Sequence, residues 1–165
     1  MDLETTQKLL AFGTEHKLTV CSCESLTAGL FCDTIASVPG ASAVLKGGLV
    51  TYFTAMKETL AHVDAKLIEN YGVVSKECAA AMAKNTRQIM DADYCVSFTG
   101  NAGPSVMEGK PAGCVYCAIA GRNQIWEYHF QYQNIHRNEL RMQVVDQMIQ
   151  ELLLRMENEH GKKSC

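Results

Sequence analysis

The stretch Leu18-Thr19-Val20-Cys21-Ser22-Cys23-Glu24-Ser25-Leu26-Thr27-Ala28-Gly29 decides the fold class. Leu18 to Cys23 is a short apolar run bounded by Lys17 and Glu24, the pattern of a buried strand. Behind it, Thr27 to Val38 reads as a helix that stops at Pro39-Gly40. Upstream, residues 3–15 place apolar Leu3, Leu9, Leu10 and Phe12 among polar neighbours, with Asp2 as N-cap, and read as a helix. Downstream, Leu45 to Phe53 is β-rich and carries Gly47-Gly48, a bend or bulge. Residues 54–61 and 64–70 read as short helices. Ser75 caps an Ala-rich helix over 76–90, whose small residues allow close packing on a sheet. Asp93 to Thr99 is a third strand, followed by a Gly/Pro/Ser-rich loop over 100–112. Strands at 113–120 and 124–132 meet at Gly121-Arg122-Asn123, a hairpin turn. The last helix spans 137–157, and 158–165 is a polar, frayed tail. The sum is a three-layer α/β/α sandwich with a mixed, mostly parallel sheet of about five strands. Strands separated by helices run parallel, and the last two form a hairpin. Residues 1–157 make one domain.

The chain has 165 residues, enough for one core without a disulfide or metal staple. The formal net charge of -3 leaves no basic field for a duplex, so nucleic acid is disfavoured as a partner. No segment reaches the roughly 18 apolar residues of a membrane span. The acidic start Met1-Asp2-Leu3-Glu4 does not resemble a signal peptide, so a cytoplasmic location is expected. The eight cysteines then read as free, small, buried hydrophobes. Cys114-Val115-Tyr116-Cys117 has the form of a metal-binding pair. It lies on a strand, however, where positions three apart face opposite ways, so no metal site is expected.

In open α/β sheets ligands bind at the carboxyl ends of strands, and three segments fall there. In Glu24-Ser25-Leu26-Thr27-Ala28-Gly29, Ser25 is placed like a strand-to-helix nucleophile, with backbone N–H groups for an oxyanion. Ser25 and Thr27 could equally cap the helix. In Thr51-Tyr52-Phe53-Thr54-Ala55-Met56-Lys57, a desolvated Lys57 could act as a general base. An ordinary solvated lysine is the other reading, and Tyr52 either orients the pair or packs. The third segment is Thr99-Gly100-Asn101-Ala102-Gly103-Pro104-Ser105, closed by Lys110-Pro111-Ala112-Gly113. Its glycines permit close backbone approach, Thr99, Asn101 and Ser105 offer hydrogen bonds, and Lys110 could meet a phosphate. The alternative is a long surface turn.

These segments occur together with Val38-Pro39-Gly40-Ala41-Ser42, Gly48-Leu49-Val50-Thr51-Tyr52, Tyr71-Gly72-Val73-Val74-Ser75, and Arg137 with Arg141. Their order and spacing resemble the C-terminal domain of the CinA (competence/damage-inducible) family over residues 5–155. Enzymatic members of that family are nicotinamide-nucleotide amidases. The resemblance implies hydrolysis of nicotinamide mononucleotide to nicotinic acid mononucleotide and ammonia, without metal or cofactor, by a homodimer. It places the nucleophile on Ser25, the base on Lys57 and a site tyrosine on Tyr52. Glu24, Thr27, Ala28 and Gly29, with the Thr99–Pro104 loop and Lys110, would contact the pyridine nucleotide, with Arg137 and Arg141 reaching its phosphate.

Several positions depart from the family pattern. Ala28 stands for a glycine, Phe53-Thr54 replaces a polar pair that includes an asparagine, Ser105 to Gly109 replaces an Asp-Gly-Gly turn, and Ile135-His136 replaces Gly-Asp. The alternative on the same fold is therefore a non-catalytic nucleotide-binding or regulatory member. In the last helix, Leu140, Val144, Val145, Met148, Ile149, Leu152, Leu153 and Met156 make a broad apolar stripe. One part of it is expected to cover the sheet, and the excess to bury against a second subunit.

Overall fold

Three of the helices begin where the N-cap side chain takes up an orphan N–H group. Asp2 accepts from the Thr5 N–H, Asp64 from Lys66 and Ser75 from Cys78, opening α1 (Leu3–His16), α4 (Ala65–Tyr71) and α5 (Lys76–Ile89). The remaining helices are α2 (Leu30–Ala36), α3 (Thr54–Thr59) and α6 (Arg137–His160). The strands are β1 (Val20–Glu24), β2 (Leu45–Val50), β3 (Tyr94–Gly100), β4 (Cys114–Ala120) and β5 (Ile125–Gln131). This computed structural model describes residues 1–161.

The sheet order is β2-β1-β3-β4-β5. β1 pairs in parallel with β2 and β3, whereas β4 is antiparallel to both β3 and β5. Only β4 is reversed, so the sheet is mixed and mostly parallel in strand direction. The expected irregularity at Gly47-Gly48 is a bulge: Val20 faces Leu45, but Cys21 already faces Gly47, leaving Lys46 as the extra residue.

Alternation along the strands feeds two cores. Val20, Val96, Phe98, Ile119 and Cys117 face α1, α2 and α6. Cys21, Cys23, Cys95 and Cys114 face the other way, beside Cys78 and Met82 of α5. Ala79 and Ala83 meet Ala118 and Ala120, the close helix-to-sheet contact that the Ala-rich sequence requires. The result is the expected three-layer α/β/α sandwich. Cys114 and Cys117 lie on opposite faces, as their spacing dictates. No helix among the described residues is long and apolar enough to cross a membrane.

Several boundaries differ from the sequence reading. β1 begins at Val20 rather than Leu18, and β2 ends at Val50, so Thr51 to Phe53 is a connection. Thr27 to Gly29 is not helical: Ala28 and Gly29 have φ of 51° and 98°, and α2 starts only at Leu30. Residues 158–160 are not a frayed tail but the last turn of α6, tied down because the Tyr94 hydroxyl bonds the Glu159 carboxylate and lies 3.0 Å from His160 Nε2. The rest of the expected tail, 162–165, lies outside the described residues. All eight apolar residues of the α6 stripe are buried within the chain. Their width is used by α1, α2 and the sheet, which removes this stripe as the ground for a second subunit.

Candidate active site

Main-chain bonds stitch together the exits of the three neighbouring parallel strands. The Ser25 N–H donates to the Phe98 carbonyl at 2.9 Å, and the Thr51 N–H to the Glu24 carbonyl at 2.8 Å. Ser25 is thereby fixed directly after β1, beside the segment that leads from β2 into α3.

Lys57 lies in that short helix and is 1% exposed. Its Nζ is 3.1 Å from Ser25 Oγ and donates to the Thr51 carbonyl at 2.8 Å. Burial disfavours the ammonium form and pushes its pKa below the ordinary lysine value. The solvated-lysine reading is therefore excluded, as is a capping role for Ser25. The neighbouring Cys78 thiol is pushed up to about 12, chiefly by burial, and stays neutral beside the lysine.

The turn after Ser25 is held from two sides. Glu24 is fully buried, and its carboxylate accepts from the N–H groups of Gly29 (2.8 Å), Phe31 (3.1 Å) and Cys32 (3.2 Å) and from the Ser22 hydroxyl (2.9 Å). It caps α2, so the expected contact between Glu24 and substrate is corrected. A side chain at Gly48 would collide with Ser22 Oγ and Cys32 Sγ, so that glycine keeps this capping group intact. From outside, Arg141 donates to the carbonyls of Leu26 (2.9 Å) and Thr27 (2.8 Å). The Ala28 N–H closes back on the Ser25 carbonyl at 3.1 Å and is unavailable to an oxyanion. Among the described residues, the N–H groups of Leu26 and Thr27 have no hydrogen-bond partner. The buried Thr27 hydroxyl has none either.

Ser25 opens on a cleft of about 240 Å³ whose walls include Leu26, Tyr52, Gly100, Asn101, Ala102 and Arg137, with Ser105 and Met107 from the long loop. Tyr52 is half exposed, and its hydroxyl accepts from Arg137 at 2.7 Å; it lines the cleft without a bond to Ser25 or Lys57. Arg137 also donates to the Gly103 carbonyl at 2.8 Å, joining the long loop to the start of α6. A wider hollow of about 800 Å³ shares Ala102 and runs along Gln131 to His136, but neither Ser25 nor Lys57 lines it.

Other expected ligand contacts are turned to structural use. Thr99 gives its hydroxyl to the Val73 carbonyl at 2.6 Å. Asn101 lines the cleft but engages its amide with the backbone of Met107 and Lys110, which makes the long loop an organised element rather than a plain surface turn. Lys110 bonds the Val74 carbonyl and lies over the Tyr116 ring, away from the cleft. Glu108, which the sequence gave no reason to single out, accepts from the N–H groups of Val73 and Val74 at 2.6 and 3.0 Å. Its partners are some 35 residues away in the chain, beyond the reach of any local pattern. The Thr51 carbonyl that orients Lys57 is main chain and carries no side-chain signal at all.

The sequence model of the CinA C-terminal domain matches residues 3–156. A relative from Listeria welshimeri, named as competence-damage inducible, is 43% identical over 137 residues, 82% of this chain and 33% of the relative. One from Lacticaseibacillus casei with the same name is 42% identical over 130 residues, 79% and 32%. This chain therefore spans about a third of the length of these relatives. Among solved structures, the competence/damage inducible protein CihA of Agrobacterium tumefaciens superposes with a TM-score of 0.89 at 30% identity, covering 94% of both chains. A CinA superfamily protein of Klebsiella pneumoniae shares the fold with a TM-score of 0.90 at 23% identity, covering 94% of this chain and 98% of that one. With its single five-stranded sheet between helix layers, its stitched strand exits and a match over nearly its whole length, the chain belongs to the CinA C-terminal domain family.

Proposed function

We propose that the chain is an amidohydrolase that converts nicotinamide mononucleotide to nicotinic acid mononucleotide and ammonia. The observation that carries this reading is the buried Lys57 amine, 3.1 Å from Ser25 Oγ and anchored on the Thr51 carbonyl. A serine hydroxyl is a weak nucleophile until a neighbouring base takes its proton. A lysine can do this only when neutral, and burial is what makes that form accessible. Neutral Lys57 accepts the Ser25 proton while Oγ attacks the carboxamide carbon. The oxyanion is met by the free N–H groups of Leu26 and Thr27. The protonated lysine then gives its proton to the departing ammonia, leaving an ester on Ser25. Water deprotonated by Lys57 hydrolyses that ester, and the proton returns to Ser25 Oγ. Arg137 is the cation in the cleft walls and faces the anionic part of the substrate.

Ammonia release from nicotinamide mononucleotide by the purified chain tests the reading. Turnover above a Ser25→Ala control supports it, and turnover no greater than that control overturns it. The homodimer implied by the family resemblance is checked by light scattering at micromolar concentration, where the mass of one chain refutes it. A second reading, nucleotide binding without turnover, is favoured by the exposed Phe53 in the Tyr52 connection and by Met107 in the cleft wall. Thermal stabilisation by pyridine nucleotides without ammonia release would select it.

A further inference from the structure

Arg141 lies about one turn into α6, and its guanidinium is used on the chain itself. Nε donates to the Leu26 carbonyl at 2.9 Å, one terminal nitrogen to the Thr27 carbonyl at 2.8 Å, and the other to Asn138 Oδ1 at 3.1 Å. A carbonyl and the following N–H share one rigid plane and point in opposite directions. Holding the Leu26 carbonyl therefore holds the direction of the Thr27 N–H. Holding the Thr27 carbonyl likewise fixes the Ala28 N–H, which closes on the Ser25 carbonyl. The turn needs such support, because Ala28 is a non-glycine residue at φ 51°. A cation on a peptide oxygen also polarises that peptide and strengthens its N–H as a donor.

We infer that Arg141 is a positioning residue for the reaction at Ser25: it fixes and polarises the Leu26–Thr27 peptide so that the Thr27 N–H meets the developing oxyanion. This assigns it a different task from the phosphate contact that the family resemblance implies. The inference rests on the reading of Ser25 as nucleophile. If it holds, the loss on removing Arg141 falls on the chemical step, whether or not the reagent carries a nucleotide phosphate.

The experiment compares the wild-type chain with Arg141→Ala and Arg141→Lys in two assays. One is steady-state ammonia release from nicotinamide mononucleotide. The other is the rate of Ser25 phosphonylation by a fluorophosphonate, a reagent that needs the oxyanion donors but has no nucleotide. Thermal unfolding confirms that each variant is folded, and rates are taken per folded molecule. Arg141→Ala is expected to lower kcat by about 10²–10³-fold, as for loss of one oxyanion donor. KM should stay within about threefold, and phosphonylation should slow by a similar factor to kcat. Arg141→Lys, which keeps one charged donor, should recover about tenfold of the loss. A tenfold or greater rise in KM with kcat retained would make Arg141 a phosphate ligand and overturn the inference. So would a wild-type chain that is phosphonylated on Ser25 at the same rate as both variants, with the nucleophile left standing. A wild-type chain that is neither phosphonylated nor active removes the nucleophile, and the inference with it.

Discussion

Glu24 is a buried carboxylate that no lysine or arginine pairs with among the described residues, and its removal tests the architecture of the Ser25 turn directly. Oε2 accepts from Gly29 and Phe31, while Oε1 accepts from Ser22 and Cys32. Glu24→Ala strips the acceptor from three N–H groups at the start of α2. Each buried donor left unpaired costs about 1–3 kcal/mol. Gly29 and Cys32 are only half buried and can find water, which leaves the buried Phe31 N–H and Ser22 hydroxyl without their acceptor, so the expected loss is at least about 2 kcal/mol, a sizeable part of the stability of an ordinary domain. Glu24→Gln is milder. Its amide oxygen can keep Gly29 and Phe31, and the Ser22 hydroxyl can rotate to accept from the new NH₂ group. What is lost is the Cys32 bond, the longest of the four, together with a negative charge at a helix N-terminus, in all about 1–2 kcal/mol. Urea unfolding of the three proteins at neutral pH gives both numbers. A Glu24→Ala variant within about 1 kcal/mol of wild type would refute the capping argument, as would a Glu24→Gln variant damaged as badly as the alanine.

The other predictions concern the base, the turn and the thiols. Lys57→Arg keeps the positive charge but cannot be neutral at usable pH, so ammonia release should fall by about 10²–10⁴-fold; a variant retaining more than a tenth of the rate would show that Lys57 is not the base. Because burial lowers the Lys57 pKa, the unfolded chain binds a proton that the folded chain does not, between that lowered value and the ordinary 10.5. Wild-type stability should accordingly rise with pH across that window, and Lys57→Met should flatten the rise, as read from unfolding midpoints over a pH series. Ala28→Gly relieves the left-handed backbone at φ 51° and should raise the urea midpoint by up to about 1 kcal/mol of stability, whereas a drop would mean the strain is absent. Reductant should leave the melting temperature unchanged, since the seven cysteines of the described residues are free thiols.

The strand pattern of the fold was legible because burial on both faces writes a continuous apolar run. Leu18 to Cys23 and Asp93 to Thr99 could hardly be anything else, and the hairpin at Gly121-Arg122-Asn123 announced the reversal of β4. Thr27 to Gly29 was misread because hydroxyl residues before an apolar helix usually cap it, whereas here a carboxylate three residues upstream of Thr27 does so from inside the core. The end of α6 was misread because polar composition says nothing of the tertiary bonds from Tyr94 that hold Glu159 and His160. At the site, Ser25 and Lys57 were readable as residue types placed after adjacent strands. Their mutual distance was not, since it depends on the Thr51 carbonyl and on the pairing of β1 with β2.

Glu24, Thr99, Lys110 and Arg141 share one property: each directs its polar atoms to main-chain groups of the turns around Ser25 or of the segment beneath the long loop. The geometry of the site therefore rests on few side chains and many fixed peptides. Oriented peptide N–H groups are effective in a site of low dielectric because they need not reorganise when charge develops. Such a site tolerates change at its rim more readily than at its supports. Phe53 at 77% exposed and Met107 at 48% exposed make neither the Ser25–Lys57 contact nor the bonds that hold the Ser25 turn. Glu108, by contrast, lies in the same long loop as Met107 but is a support, since it accepts from the Val73 and Val74 N–H groups. Within the turn, Ala28 holds a left-handed backbone at φ 51°, and it is there that Glu24 and Arg141 supply the hold that a glycine would make less necessary.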